Sequence, residues 1–122
     1  MDKQTEEFFT RMIMWLPETE IEYQIMEKKY GKVLETVAIE DIFMPELIKL
    51  LDSDKEIELL KNIFDYFEFV SNCGNEHLIN IFSITVLEIL GNDKRILDIA
   101  KKYMGPMTVQ LQIEADRDLG RI

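Results

Sequence analysis

Cysteine and histidine are nearly missing from this chain, with Cys73 and His77 the single example of each. One cysteine excludes an intrachain disulfide. Two such residues also fall short of the ligand set of a zinc site. A single histidine excludes the paired Glu-x-x-His helices of a di-iron bundle. Glycine is sparse and scattered, five in 122 residues, so no glycine-rich loop is available to cradle a phosphate. No apolar run goes far without a charge or an amide, and no membrane span is expected. The opening "MDKQTEEFF" lacks the basic-then-apolar order of a secretory leader, so a soluble cytoplasmic protein is expected. Base is scarce too: 14 Lys and Arg stand against 24 Asp and Glu, a formal charge of −10. Nucleic acid and anionic membranes both require a cationic footprint, so neither is an expected partner.

What is present is apolar bulk, 47% of the residues, arranged at helical spacing. A chain of this length suits one domain, residues 1–122, around a single core. Residues 2–16 place Phe8, Phe9, Met12, Ile13 and Leu16 on one helical face, and Pro17 ends that helix or opens the next. Over 18–30 the inward residues are expected to be Ile21, Ile25 and Met26, with a break at Gly31. Residues 32–54 read as two short helices meeting near Pro45, because the residue before a proline is biased away from helical backbone. Residues 54–72 carry Ile57, Leu60, Ile63, Phe64, Phe67 and Val70, with Leu59, Tyr66 and Phe69 widening the face. "NCGN" makes a turn, with Gly74 able to take the left-handed conformation. Residues 76–90 are apolar nearly all round, which requires neighbours on several sides. Helices at 93–103 and about 106–118 complete an all-α fold of six or seven helices, a compact bundle or a short stack of antiparallel pairs, HEAT-like if the pairs repeat.

Chemistry finds little purchase. Cys73 and His77 are four residues apart, but no third group is at hand to orient the base of such a pair. "DSDKEIE" at 52–58 imitates the start of a calcium loop and has Ile57 where that loop needs glycine, so it reads as a helix cap. An enzyme, a metal and a cofactor are not expected.

The acid is unevenly spread. Residues 35–76 hold eleven carboxylates against Lys49, Lys55 and Lys61, which is −8 of the total. On the helix expected at 54–72, Asp54, Glu58, Asp65 and Glu68 fall on one stripe, with Lys61 the opposite charge among them. Like charges at these spacings cost about 0.2–0.5 kcal/mol per pair in an isolated helix, so folding gains nothing from the arrangement. Two explanations fit: a solvated face that maintains solubility, or a docking surface for a basic partner. The docking reading names Asp54, Glu58, Asp65, Tyr66 and Glu68, with Glu40, Asp41 and Glu46 nearby in sequence. Tyr66 serves as an aromatic anchor, as would Trp15, Tyr23 or Tyr30, although each also suits the edge of a core. Lys28, Lys29 and Lys32 read as a solvated helix end.

Two stretches carry a resemblance: "EILG" at Glu88 to Gly91 and "YMGPMT" at Tyr103 to Thr108. Over about residues 46–120 the chain resembles small acidic helical domains akin to immunity proteins of polymorphic-toxin and contact-dependent growth-inhibition systems. The first 45 residues carry no such likeness. The resemblance implies a stoichiometric inhibitor that covers the active cleft of a cognate, basic, nuclease-type toxin domain. An adaptor holding a peptide in a helix-pair groove is the alternative. Either would be a monomer or a weak dimer when free.

Overall fold

The computed structural model describes residues 1–122 and contains seven helices and no strand. They are α1 (Lys3–Trp15), α2 (Glu20–Tyr30), α3 (35–53), α4 (Ile57–Asn72), α5 (76–90), α6 (Lys94–Lys101) and α7 (Pro106–Asp118). No helix is long and apolar enough to cross a membrane.

Local chemistry sets most of the ends. Asp2 caps α1 by accepting from the Thr5 amide and hydroxyl at 2.8 and 3.0 Å. Asn75 caps α5, Asp93 caps α6, and prolines stand in the first turns of the segment after Leu16 and of α7. Gly31 closes α2 and Gly74 follows α4, both in the left-handed region. Asp54 takes that conformation as well, at φ 48°, and so terminates α3 instead of beginning α4.

Residues 32–54 do not form two helices parted at Pro45. One helix runs through, and it widens to π geometry over Ile39–Phe43 just before the proline. A proline inside a helix removes an amide donor and crowds the carbonyl four residues back. The widened turn relieves that demand immediately upstream. A second π segment, Ser83–Leu87, lies in the middle of α5, and the two segments pack on each other. Ile39, Ile42 and Phe43 of the first, with Thr85, Val86 and Leu87 of the second, are buried.

One core of 28 buried residues joins every helix but α2, which packs on it through Tyr23 and Met26. Phe8, Phe9, Phe43, Phe64, Phe67 and Phe82 are all at most 1% exposed, and their rings interlock. Phe67 lies 5.0 Å from Phe64 and 5.1 Å from Phe82, both edge-on, the geometry aromatic quadrupoles favour. α4 is the central element, touching α1, α5 and α7, while α6 packs on α3. α5 is less enclosed than its composition implies, since Ile84 is exposed and Ile79 and Ile89 are half-buried. On α2 the expected face is reversed in part. Tyr23 and Met26 turn inward, with Tyr23 against Phe9 and Phe43 at 5.9 and 6.0 Å, while Ile21 and Ile25 stand in solvent.

Candidate functional site

The expected acidic stripe does not survive folding intact. Asp54 lies off α4 altogether. Its carboxylate accepts from the Tyr103 hydroxyl at 2.5 Å and from the Lys102 ammonium, which tie the end of α3 to the end of α6. Those two donors hold the Asp54 carboxyl below its ordinary range.

Glu68 is also withdrawn. It reaches the amino end of α7, where Oε1 accepts from the Thr108 amide at 2.8 Å and its hydroxyl at 2.9 Å, and Oε2 from the Met107 amide at 3.1 Å. α7 has no capping side chain of its own, and Glu68 supplies the missing acceptor from 40 residues upstream. Partial burial pushes the Glu68 carboxyl upward, but these donors and the Asn72 amide outweigh it and hold the group below its ordinary range. Gly105 leaves it room, because a Cβ there would stand 2.5 Å from the Glu68 carboxyl carbon and the carboxylate would have to shift on the α7 amides. The Thr108 hydroxyl continues the lock to Ser71 at 3.0 Å.

Tyr66 is a core residue, 8% exposed. Its ring stacks near Phe8 and Phe69 at 6.1 and 6.0 Å and meets Trp15 at 5.5 Å. Burial first, then the nearby Glu7 carboxylate, push its hydroxyl up to about 12. Of the α3 acids, Glu46 is half-buried and bonded to Lys49 at 3.1 Å, while Glu40 and Asp41 are exposed and free of ion pairs. His77 Nε2 lies 2.8 Å from Glu35 Oε1, so the histidine partners α3 and not Cys73.

Glu58 and Asp65 remain on the exposed side of α4, and they belong to a different stripe: Glu58, Asn62, Asp65, Phe69. Spacings of four, three and four keep these residues on one helical face. Asn62, Asp65 and Phe69 form one wall of a surface groove of about 510 Å³. The other wall is α1, through Glu7, Arg11, Met14 and Trp15. Arg11 is bonded to Glu7 at 3.1 Å and lies over both the Trp15 and Tyr66 rings, 5.7 and 5.3 Å from their centres. The floor is thus a rigid aromatic platform clamped by a cation, the rim carries Glu7 and Asp65, and two apolar side chains stand open. Met14 is 57% exposed and Phe69 is 54% exposed, the one phenylalanine of seven outside the core.

Of the residues expected at a partner surface, the groove contains Asp65 and Tyr66, and Glu58 extends its α4 wall. Glu40, Asp41, Glu46, Asp54 and Glu68 do not line it. Of the α1 wall, only Trp15 was expected at an interface, and Glu7, Arg11 and Met14 were missed. Their signal was available in spacings of four and three, on the side of α1 not used by Phe8, Phe9 and Met12.

Residues 9–119 match the family model of a domain of unknown function, DUF7674, and the chain belongs to that family. The match takes in α2 and most of α1, which the likeness over 46–120 had left out. No curated protein and no solved structure matches the chain.

Proposed function

We propose that this member of the family works by binding a basic protein partner along the α1–α4 groove, with no chemistry of its own. The observation that carries the reading is Phe69. Six phenylalanines are sealed in the core while the seventh is presented to solvent at the end of an acid-bearing stripe. A partly exposed aromatic on a rigid platform is a favourable anchor, because little side-chain freedom is lost on binding. Asp65 on the groove's rim makes no ion pair, whereas Glu7 is bonded to Arg11 and Glu58 to Lys61, so the excess charge along this face is a single carboxylate, which favours a cationic partner over an acidic one.

The sign of the charge and the resemblance quoted above extend the proposal to neutralisation of a cationic toxin domain, whose substrate-binding cleft the groove face would cover. Capture of the partner from the native host, followed by titration of variants against it, tests both levels. Phe69→Ala and Asp65→Lys are each expected to weaken binding about tenfold or more. Glu40→Lys with Asp41→Lys should leave it unchanged. Raising ionic strength should slow association. Binding that ignores Phe69 and Asp65 but fails with the α3 pair would refute the groove. For the finer reading, a partner that is neither basic nor silenced by the domain would refute neutralisation and leave an adaptor.

A further inference from the structure

α2 is the one long helix without a buried residue, and its outer face is ordered. Glu18, in the turn just ahead of it, is followed along that face by Ile21, Ile25 and Lys28, all exposed. The intervals are three, four and three, the spacing of a seam between two packed helices. Ile21 is 71% exposed, the highest of any isoleucine, and Ile25 is 60% exposed, exceeded otherwise only by the chain's last residue. Neither Glu18 nor Lys28 makes an ion pair within the chain.

The order acid, isoleucine, isoleucine, base is complementary to itself when reversed. We infer that a second copy of this chain covers the outer face of α2, antiparallel and about a two-fold axis, with Ile21 on the partner's Ile25 and Glu18 on the partner's Lys28. Each contact occurs twice by symmetry, as an isologous interface requires. Antiparallel packing also sets each helix's positive end beside the negative end of the other. Acid early and base late on one helix is explained by its own dipole alone, but the dipole gives no reason for two isoleucines between them. A parallel arrangement would instead set Glu18 on Glu18 and Lys28 on Lys28. The helix is about 16 Å long, so the contact is small and the dimer dissociates readily. This pairing is independent of the α1–α4 groove, none of whose lining residues belongs to α2.

Sedimentation velocity from low micromolar to about 1 mM, the weak end of specific association, tests it. The unaltered chain is expected to shift from monomer to dimer over that range. Ile25→Asp should remain monomeric. Glu18→Lys alone and Lys28→Glu alone should each weaken pairing at least about tenfold, since each sets like charges opposite one another. Mixed together, those two single variants should pair as a heterodimer, and Glu18→Lys/Lys28→Glu in one chain should restore the homodimer. Circular dichroism of each variant checks that the fold is retained, which substitution at exposed positions should not disturb. A monomer at every concentration would overturn the inference and leave the face to a different protein. A dimer that survives Ile25→Asp, or single variants that pair no better when mixed, would overturn it equally.

Discussion

Glu68 shows how much one side chain's meaning depends on what folds back to meet it. It offers both carboxylate oxygens to the start of α7, and Gly105 leaves the room. Replacing it by glutamine keeps the shape and loses the charge, at an expected cost of about 1–2 kcal/mol in thermal or denaturant unfolding. Gly105→Ala should be destabilising in the native background and less so once Glu68 is alanine, because the three atoms nearest a Cβ there all belong to the Glu68 side chain. A double-mutant cycle measures that coupling. The pH dependence follows from the same bonds. Glu68, Asp54 and Asp2 all have folded carboxyls held below their ordinary values of 4.5, 3.8 and 3.8. Their stabilisation is therefore complete above those values and is lost as pH falls through the lower folded ones. Melting temperature should be flat near neutrality and fall on acidification, and the gap between the native chain and Glu68→Gln should close as it does. At the groove, Phe69→Ala loses the stack on Tyr66 and is expected to cost about 0.5–1.5 kcal/mol, whereas Phe67→Ala should cost about 3–5 kcal/mol.

Among the elements, α2 and α4 are opposites. α4 is buried along most of its inner side and contacts three other helices, while α2 is held mainly through Tyr23, Met26 and their neighbours. Amide exchange should accordingly be fast in α2 and slowest in α4, measured by native-state hydrogen exchange. Helix positions were largely legible from spacing because apolar periodicity reports the buried side directly, and the expected breaks at Gly31 and Gly74 are real. What spacing could not decide was which of two apolar stripes on α2 faces inward. Ile21 and Ile25 compete there with Tyr23 and Met26, and Phe9 and Phe43, remote in sequence, select the aromatic one. The proline rule also misled at Pro45, since it presumes ordinary helical geometry and the chain widens there instead. The same widening lies within "INIFSITVLEIL", the stretch whose β-branched residues imitate a strand.

At the scale of the whole molecule, the excess of acid was plain from composition, but its availability was not. Counting places eleven carboxylates in the middle third; only the assembled fold diverts Asp52 to Arg95, Asp54 to Lys102 and Glu68 to α7. All three sets of donors lie in the carboxy-terminal part, which is neutral when counted alone, so the evenness there hides bases already committed elsewhere. The groove combines α1 with α4, elements about 50 residues apart, and no local pattern announces such a pairing. Charge on the molecule as a whole remains −10, and its mutual repulsion should make moderate salt stabilising. A melt series in sodium chloride is expected to rise before it levels.

The paired π segments have a consequence for how this chain can vary in length. Each holds one residue more than an ordinary helical path between the same two points, so each resembles an insertion that the fold has absorbed. Deleting one residue from Ile39–Phe43 would leave a regular helix between the same two ends, so Ala38 on one side and Leu47 and Leu51 on the other would keep their places in the interior. Relatives of this chain should thus tolerate loss of one residue within these two tracts better than elsewhere in the same helices, while keeping apolar bulk at the buried positions.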